Sequence, residues 1–173
     1  DRDGNGFYEI FMRGFNADGS QRFGETAVNV VPTGQQQSAQ ISMSASGTFV
    51  VVWQDDQDEN GKWQILARGF NANGTERFAP ITANSSSTGQ QVFPQVSMSE
   101  SGRFVVTWMD DVDEDGNFEI KLRGFNADGT ELFAQRTAHP TTTGQKLLPD
   151  VAVSDLGGVV VVWQDDSGGN GLY

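Results

Sequence analysis

Apolar residues recur along this chain with a period of two, the period of a β-strand, rather than the three-to-four spacing of a helix. Between Gln95 and Ser99, Val96 and Met98 point one way and Ser97 the other, as Ile41, Met43 and Ser42 do earlier in the chain. A Ser101-Gly102 turn leads into Phe104 to Trp108, which is apolar on both faces and is therefore predicted to be buried on both. Beyond an acidic segment the alternation returns over Phe118 to Phe125, with Phe118, Ile120 and Leu122 on one face and Glu119, Lys121 and Arg123 on the other. Asn126-Ala127-Asp128-Gly129 then supplies the glycine that a short hairpin turn needs. A fourth strand is expected near Glu131 to Thr137, followed by a less regular stretch from Ala138 to Leu148.

This four-strand pattern recurs every 55 residues without insertion or deletion. Trp53, Trp108 and Trp163 mark its phase, as do Gly14, Gly69 and Gly124 in an Arg-Gly-Phe-Asn-Ala-Asx-Gly block and Gly34, Gly89 and Gly144 in a Thr-Gly-Gln block. The repeats are 1–55, entered at strand three, then 56–110 and 111–165, with 166–173 opening a fourth that aligns with 1–8. Four up-and-down strands with the second buried on both faces predict an all-β chain of β-propeller-type blades, each a four-stranded antiparallel sheet, with about three blade equivalents. One such sheet cannot bury both its faces alone, so each blade needs a neighbour on either side. Three blades are too few for a closed ring. The chain is expected to belong to a larger array, to close with a second copy into a six-bladed ring through its two half-blades, or to stack as an open filament.

The segment between strands two and three carries candidate chemistry. It reads Asp1, Asp3, Asn5 and Glu9 in the first copy, Asp56, Asp58, Asn60 and Gln64 in the second, and Asp111, Asp113, Asp115 and Glu119 in the third; Asp166 and Asn170 begin a fourth. Oxygen ligands thus stand at positions one, three, five and nine, with glycine at six and a backbone carbonyl available at seven, from Phe7, Lys62 and Asn117. Calcium takes six to eight hard oxygens in flexible geometry, and this is the spacing of the first nine residues of an EF-hand loop. Position twelve holds Met12, Ala67 or Leu122 in place of that loop's glutamate, and strands rather than helices flank it. Copy three is expected to bind calcium most tightly because it has the most carboxylates, and copy four, where Gly168 replaces the second aspartate, most weakly.

Composition sharpens this reading. Eleven Lys and Arg against 23 Asp and Glu give a net charge of -12, which repels phosphate and argues against a nucleic-acid partner. All but eight of the acidic residues lie in or beside the four loops. Like charge so crowded calls for a bound cation. The longest apolar run, Val159 to Trp163, is too short to insert in a membrane, and no signal-peptide layout is present, so the sequence is expected to start inside a mature chain. There is no cysteine and hence no disulfide framework.

No catalytic or organic-cofactor residue stands out. His139, the one imidazole, is expected on the surface without a counterpart in other copies, and without cysteine or a second histidine neither a usual nucleophile and base pair nor a zinc site can be assembled. Arg13, Arg68 and Arg123 are expected to pair with Glu9, Gln64 and Glu119 or with a loop carboxylate. The three recurring Trp residues are expected in the core. A lectin would need an exposed aromatic at one place in each blade, for which Tyr8, Trp63 and Phe118 are the candidate set. A propeller glycosidase would need residues that break the repeat symmetry about an axial pocket, and none is apparent. Asn73-Gly74-Thr75 and Asn84-Ser85-Ser86 match the glycosylation pattern.

The acidic loops between strands resemble those of integrin-type propeller repeats, which implies calcium sites of structural character. Together with the Arg-Gly-Phe-Asn-Ala-Asp-Gly-Thr block, Thr-Gly-Gln and Gly-x-Phe-Val-Val-x-Trp, they resemble, over the whole chain, the tandem repeats of large bacterial secreted and surface proteins of adhesin and haemolysin type. That resemblance implies an extracellular or cell-surface location, calcium dependence and a structural or adhesive role. Calcium ions, further copies of the chain and cell-surface glycans are the partners it suggests.

Overall fold

The computed structural model describes residues 4–140 and 143–169, and every helix or strand among them is a strand. A hairpin of β1 (Phe11–Phe15) and β2 (Gln21–Ala27) is followed by β3 (Gln35–Met43), β4 (Phe49–Asp56), β5 (Gln64–Phe70) and β6 (Glu76–Thr82), a four-stranded sheet in simple meander order. A second such sheet contains β7 (Gln90–Met98), β8 (Phe104–Asp111), β9 (Glu119–Phe125) and β10 (Glu131–Thr137), and β11 (Lys146–Val153) pairs with β12 (Val159–Asp165) in a final hairpin. All pairings are antiparallel. The chain is thus two whole β-propeller-type blades between two half-blades. The first half-blade holds strands three and four of the repeat, and the last holds strands one and two.

Each blade buries one face against the blade before it and the other against the blade after. In β4, Phe49, Val51 and Trp53 pack with Phe70 and Val28 toward the first half-blade. Val50 and Val52 pack with Ile65, Ala67 and Ala83 against Phe104, Val106 and Trp108 of the next blade. This is why the second strand is apolar at successive positions: Phe49 to Asp55 and the whole of β8 are buried. Stacked rings carry the contact from blade to blade, with Phe78 of β6 lying 5.8 Å from Phe104 of β8, and Phe104 in turn 5.1 Å from Phe125. The glycine of the Arg-Gly-Phe block makes room for this stack, because a Cβ on Gly69 would lie 2.1 Å from the Phe78 ring.

Three expectations need correction. Strand one begins about five residues earlier than the alternation indicates and is interrupted by a bulge, the register shifting between Val92 and Gln95 around Phe93, whose φ is 52°. Ser38 and Leu148 adopt the same left-handed conformation at the equivalent place. A bulge inserts an extra residue and breaks the period of two, so the first half of the strand reads as irregular. For the same reason β11 begins inside the stretch expected to be irregular, at Lys146. Finally, strand two runs on to Asp56 and Asp111, so the first loop aspartate is held by sheet pairing.

Candidate metal centre

The acidic loop leaves the end of one strand and enters the next, and two recurring features of the repeat hold it in place. Gly89 lies so close to the loop that a Cβ there would sit 1.9 Å from the carbonyl oxygen of Asp111, and its φ is +70°; Gly34 meets Asp56 in the same way. The glutamine that follows each such glycine spans the exit of the preceding acidic loop. Gln90 donates to the Gly61 carbonyl at 2.8 Å and accepts from the Trp63 N–H at 3.5 Å. Gln145 does the same with Gly116 and Phe118 at 2.5 and 3.1 Å, and Gln35 with Gly6 and Tyr8 at 3.2 and 3.0 Å. Each Thr-Gly-Gln block therefore ties the exit of one acidic loop to the start of the next.

Within the third loop the carboxylates of Asp111, Asp113 and Asp115 offer oxygens that all lie within 4.8 Å of one another. Two oxygens bound to one calcium are at most about 5 Å apart, so the three fit a single ion. Asp111 is buried, 8% exposed, and its Oδ1 has no hydrogen-bond partner. A buried carboxylate oxygen without a donor is costly, and a cation is the partner that would relieve it. Asp115 accepts from the Asn117 N–H at 2.7 Å, which orders the loop's far side. Glu119, the expected ligand at position nine, is bonded to Lys121 instead of standing in this cluster.

The second loop has the same backbone but satisfies itself. Asn60 Nδ2 donates to Asp58 at 2.7 Å, its Oδ1 accepts from the Lys62 N–H at 2.6 Å, and Asp56 accepts from the Gly61 N–H at 3.2 Å with both oxygens. Gln64 Oε1 accepts from Asn84 at 2.6 Å. The side chain of Lys62 reaches across to Glu114 of the third loop at 2.8 Å and ties the two together. In the first loop Asn5 accepts from the Phe7 N–H at 2.7 Å, while Asp1 and Asp3 lie outside the described residues. Asp166 is buried at the start of the fourth, and Asn170 lies outside the described residues. Among the described residues, the third loop is the one that brings three carboxylates within reach of a single ion.

One recurring element escaped the sequence reading. The indole N–H of Trp53 donates to Asp55 at 2.8 Å, that of Trp108 to Asp110 at 2.9 Å and that of Trp163 to Asp165 at 3.2 Å. Residues two apart on a strand share a face, so Trp-x-Asp was the available signal. Burial pushes the Asp55 and Asp110 carboxyls above the usual carboxylate range, against the pull of the Trp hydrogen bonds. As expected, Trp53 and Trp108 are fully buried.

Several other candidates are placed differently from expectation. His139 is buried, not at the surface, and its Nε2 accepts from the Ile120 N–H at 3.1 Å. It does have counterparts: Asn29 and Asn84 accept from the Ile10 and Ile65 N–H groups at 3.0 and 2.7 Å, so a polar side chain is required here to satisfy the start of strand three. The buried Gln36 and Gln91 beside those asparagines become Lys146 in the third copy, which donates to the carbonyls of Thr143 and Gly144 and lies 3.6 Å from Asp165. His139 and Lys146 therefore differ in kind from the residues at the same place in the other repeats, and both are spent on structural bonds. Arg68 and Arg123 pair with Glu76 and Glu131 across the hairpin at 2.6 Å, not with position nine or a loop carboxylate, and Arg13 bonds Gln21 in the same way. Trp63 and Phe118 are half-buried against the cluster of Val92, Met109 and Ile120, so of the possible sugar-stacking set Tyr8 alone is exposed. Asn84 is buried in hydrogen bonds and closed to glycosylation.

No family model and no curated protein matches this chain. A solved structure, the endo-arabinase from Bacteroides thetaiotaomicron VPI-5482, aligns with 86% of this chain at 14% identity and a TM-score of 0.47. This chain spans 58% of that protein. At that score and identity the likeness carries no argument about substrate or activity.

Proposed function

We propose that this chain is a calcium-stabilised structural or adhesive repeat module of an extracellular or cell-surface protein, without catalytic activity of its own. The observation that carries the reading is the unpartnered, buried Oδ1 of Asp111 beside the carboxylates of Asp113 and Asp115. Asp111, Asp113 and Asp115 would hold the ion, with the Asn117 carbonyl at position seven and water completing the oxygen set. A bound ion would neutralise the loop where strand two ends and so fasten the two central strands of the blade to each other. Four in-phase acidic loops agree with stabilisation by metal.

The test is thermal unfolding with calcium and after chelation, alongside native mass spectrometry to count bound ions. At a free concentration one hundred times the Kd, binding stabilises by about 2.7 kcal/mol, which for a chain of this size raises Tm by roughly 5–10 °C. Loop 111–119 fills first, and magnesium does not replace calcium. Melting indifferent to chelation, with no ion retained, would reduce the loops to acidic turns and end this reading.

A further inference from the structure

The second whole blade holds Lys121 where the first whole blade has Leu66, and the residues around the two correspond. Trp108 stands opposite Lys121 and Asp110 opposite Glu119 across β8 and β9, while Thr137 of β10 pairs with Lys121 from the other side. One repeat earlier, Trp53 stands opposite Leu66 and Asp55 opposite Gln64 across β4 and β5, and Thr82 of β6 pairs with Leu66. Directly opposed residues share a face of the sheet. Each blade therefore gathers an aspartate, the side chain at position nine of the acidic loop and a threonine around one residue of its third strand.

In the second whole blade that gathering holds an ammonium group. Lys121 Nζ donates to Glu119 and, at 2.8 Å, to Thr137 Oγ1, and its side chain is 12% exposed. Burial raises the Asp110 carboxyl, and the Trp108 hydrogen bond and the Lys121 charge draw it back. In the first whole blade the same place is a cavity of about 180 Å³, lined by Asp55, Asp58, Gln64, Leu66, Thr82 and Ser87. All six belong to that one blade with its acidic loop and its link to the next. Among the described residues no salt bridge reaches Asp55 or Asp58, since Lys62 is taken by Glu114 and Arg68 by Glu76.

We propose that this cavity binds a primary ammonium group on an alkyl stem, the chemistry that Lys121 supplies from within the chain one blade later. Asp55 is 4% exposed and accepts from Trp53 Nε1 at 2.8 Å and from the Gln57 N–H at 2.9 Å, one donor to each oxygen. Each carboxylate oxygen thus keeps a lone pair for a further donor. Gln64 Oε1, which accepts from Asn84 at 2.6 Å, and the Thr82 hydroxyl are the counterparts of the Glu119 and Thr137 oxygens that receive Lys121. Three such acceptors match the three N–H donors of an ammonium, and Leu66 offers the alkyl stem an apolar wall. The net charge of -12 draws cations to the molecule as a whole. The inference goes beyond the calcium reading and does not depend on it. Asp58 is the one residue common to both, so the test is run after chelation.

The experiment is a titration of the isotope-labelled chain with n-butylammonium chloride in chelator, followed by amide NMR and set against sodium chloride at the same ionic strength. Saturable shifts at Gln64, Leu66 and Thr82 are expected, without an equal response to sodium. Leu66→Lys places an ammonium in the cavity from within the chain, as Lys121 does, and should abolish the butylammonium response while circular dichroism shows the fold unchanged. Gln64→Glu restores the carboxylate of the second whole blade and should tighten binding roughly tenfold. A blocked Gly-Lys-Gly peptide that binds as tightly as butylammonium would assign the site to a lysine of a partner protein, and one that does not bind would assign it to free amines. Equal shifts with sodium, shifts confined to the acidic loops, or a butylammonium response that survives Leu66→Lys would each overturn the proposal.

Discussion

Loops 56–64 and 111–119 occupy the same place in consecutive blades and are pinned by equivalent glycines and glutamines, yet they treat their charge differently, and Asp111 is buried where Asp56 is half-buried. In the first, the amide of Asn60 supplies a donor to Asp58, and Asp56 is bonded through both oxygens to Gly61. In the second, Asp115 replaces that amide, no donor takes its place, and Asp111 is left with a buried orphan oxygen. Of the five positions at which the two loops differ, the exchange of Asn60 for Asp115 is the one that removes a donor to the neighbouring aspartate and adds a carboxylate to the cluster. The same exchange occurs at Asn73 and Asp128 with no such result, because both accept from the hydroxyl and N–H of the following threonine, Thr75 or Thr130. What an extra carboxylate does depends on whether the backbone around it offers donors.

The largest effect should come from the anchor. Gly89→Ala places a Cβ against the Asp111 carbonyl at a positive φ, and the expected cost is about 2–3 kcal/mol. Gly34→Ala should cost a similar amount, but of the two only Gly89→Ala should also weaken calcium binding at loop 111–119, as titration calorimetry would measure. Equal calcium affinities would break the link between anchor and site.

Asp111→Asn should act in opposite directions under two conditions. Without calcium it removes a buried charge and should leave stability unchanged or improved; with calcium it should weaken binding roughly tenfold or more, a loss of about 1.4 kcal/mol per tenfold. A variant less stable in both conditions would show that Asp111 has a structural partner other than a cation. Asn60→Asp tests the converse. It removes the Asn60 hydrogen bond to Asp58 at a cost of about 1 kcal/mol without calcium, and it should give the second loop an affinity approaching that of the third. Denaturant melts with and without calcium would read both terms.

The smallest effect concerns acid. Hydrogen bonds donated by the side chain and backbone of Thr130 hold the exposed Asp128 carboxyl below its ordinary value. Because the folded pKa is the lower one, the stabilisation is complete above the ordinary carboxylate range and is lost as pH falls through the depressed folded value. Asp128→Asn should flatten that part of the acid limb in pH-dependent melts, since Asn73 makes the same contacts without a charge. An unchanged limb would place the acid sensitivity elsewhere.

Much of the site was legible because it depends on spacing. Oxygen donors at alternate positions followed by glycine appear directly in the chain, and their recurrence at the phase of Trp53, Trp108 and Trp163 separates them from chance turns. The partners of those residues were less legible. Glu119 has the spacing of a ninth ligand but bonds to Lys121, because the two share one face of β9, two residues apart. Arg68 could have met Gln64 along its own strand but meets Glu76 across the hairpin, where register rather than sequence distance sets the neighbour. His139 looked unique because its counterparts are asparagines: the requirement is for an acceptor at the Ile120 N–H, and two residue types meet it.

The sequence by itself determined the strand count, the phase of the repeat, the doubly buried second strand and the place of the acidic loops, since each follows from a local period or a local spacing. Only the tertiary structure decided which carboxylate oxygens were left without a donor, those of Asp110 and Asp111, and where a bulge reset strand one. The first depends on which donors the backbone of each loop presents, and the second on what the preceding blade offers, as where Gln54 accepts from the Phe93 N–H at the bulge.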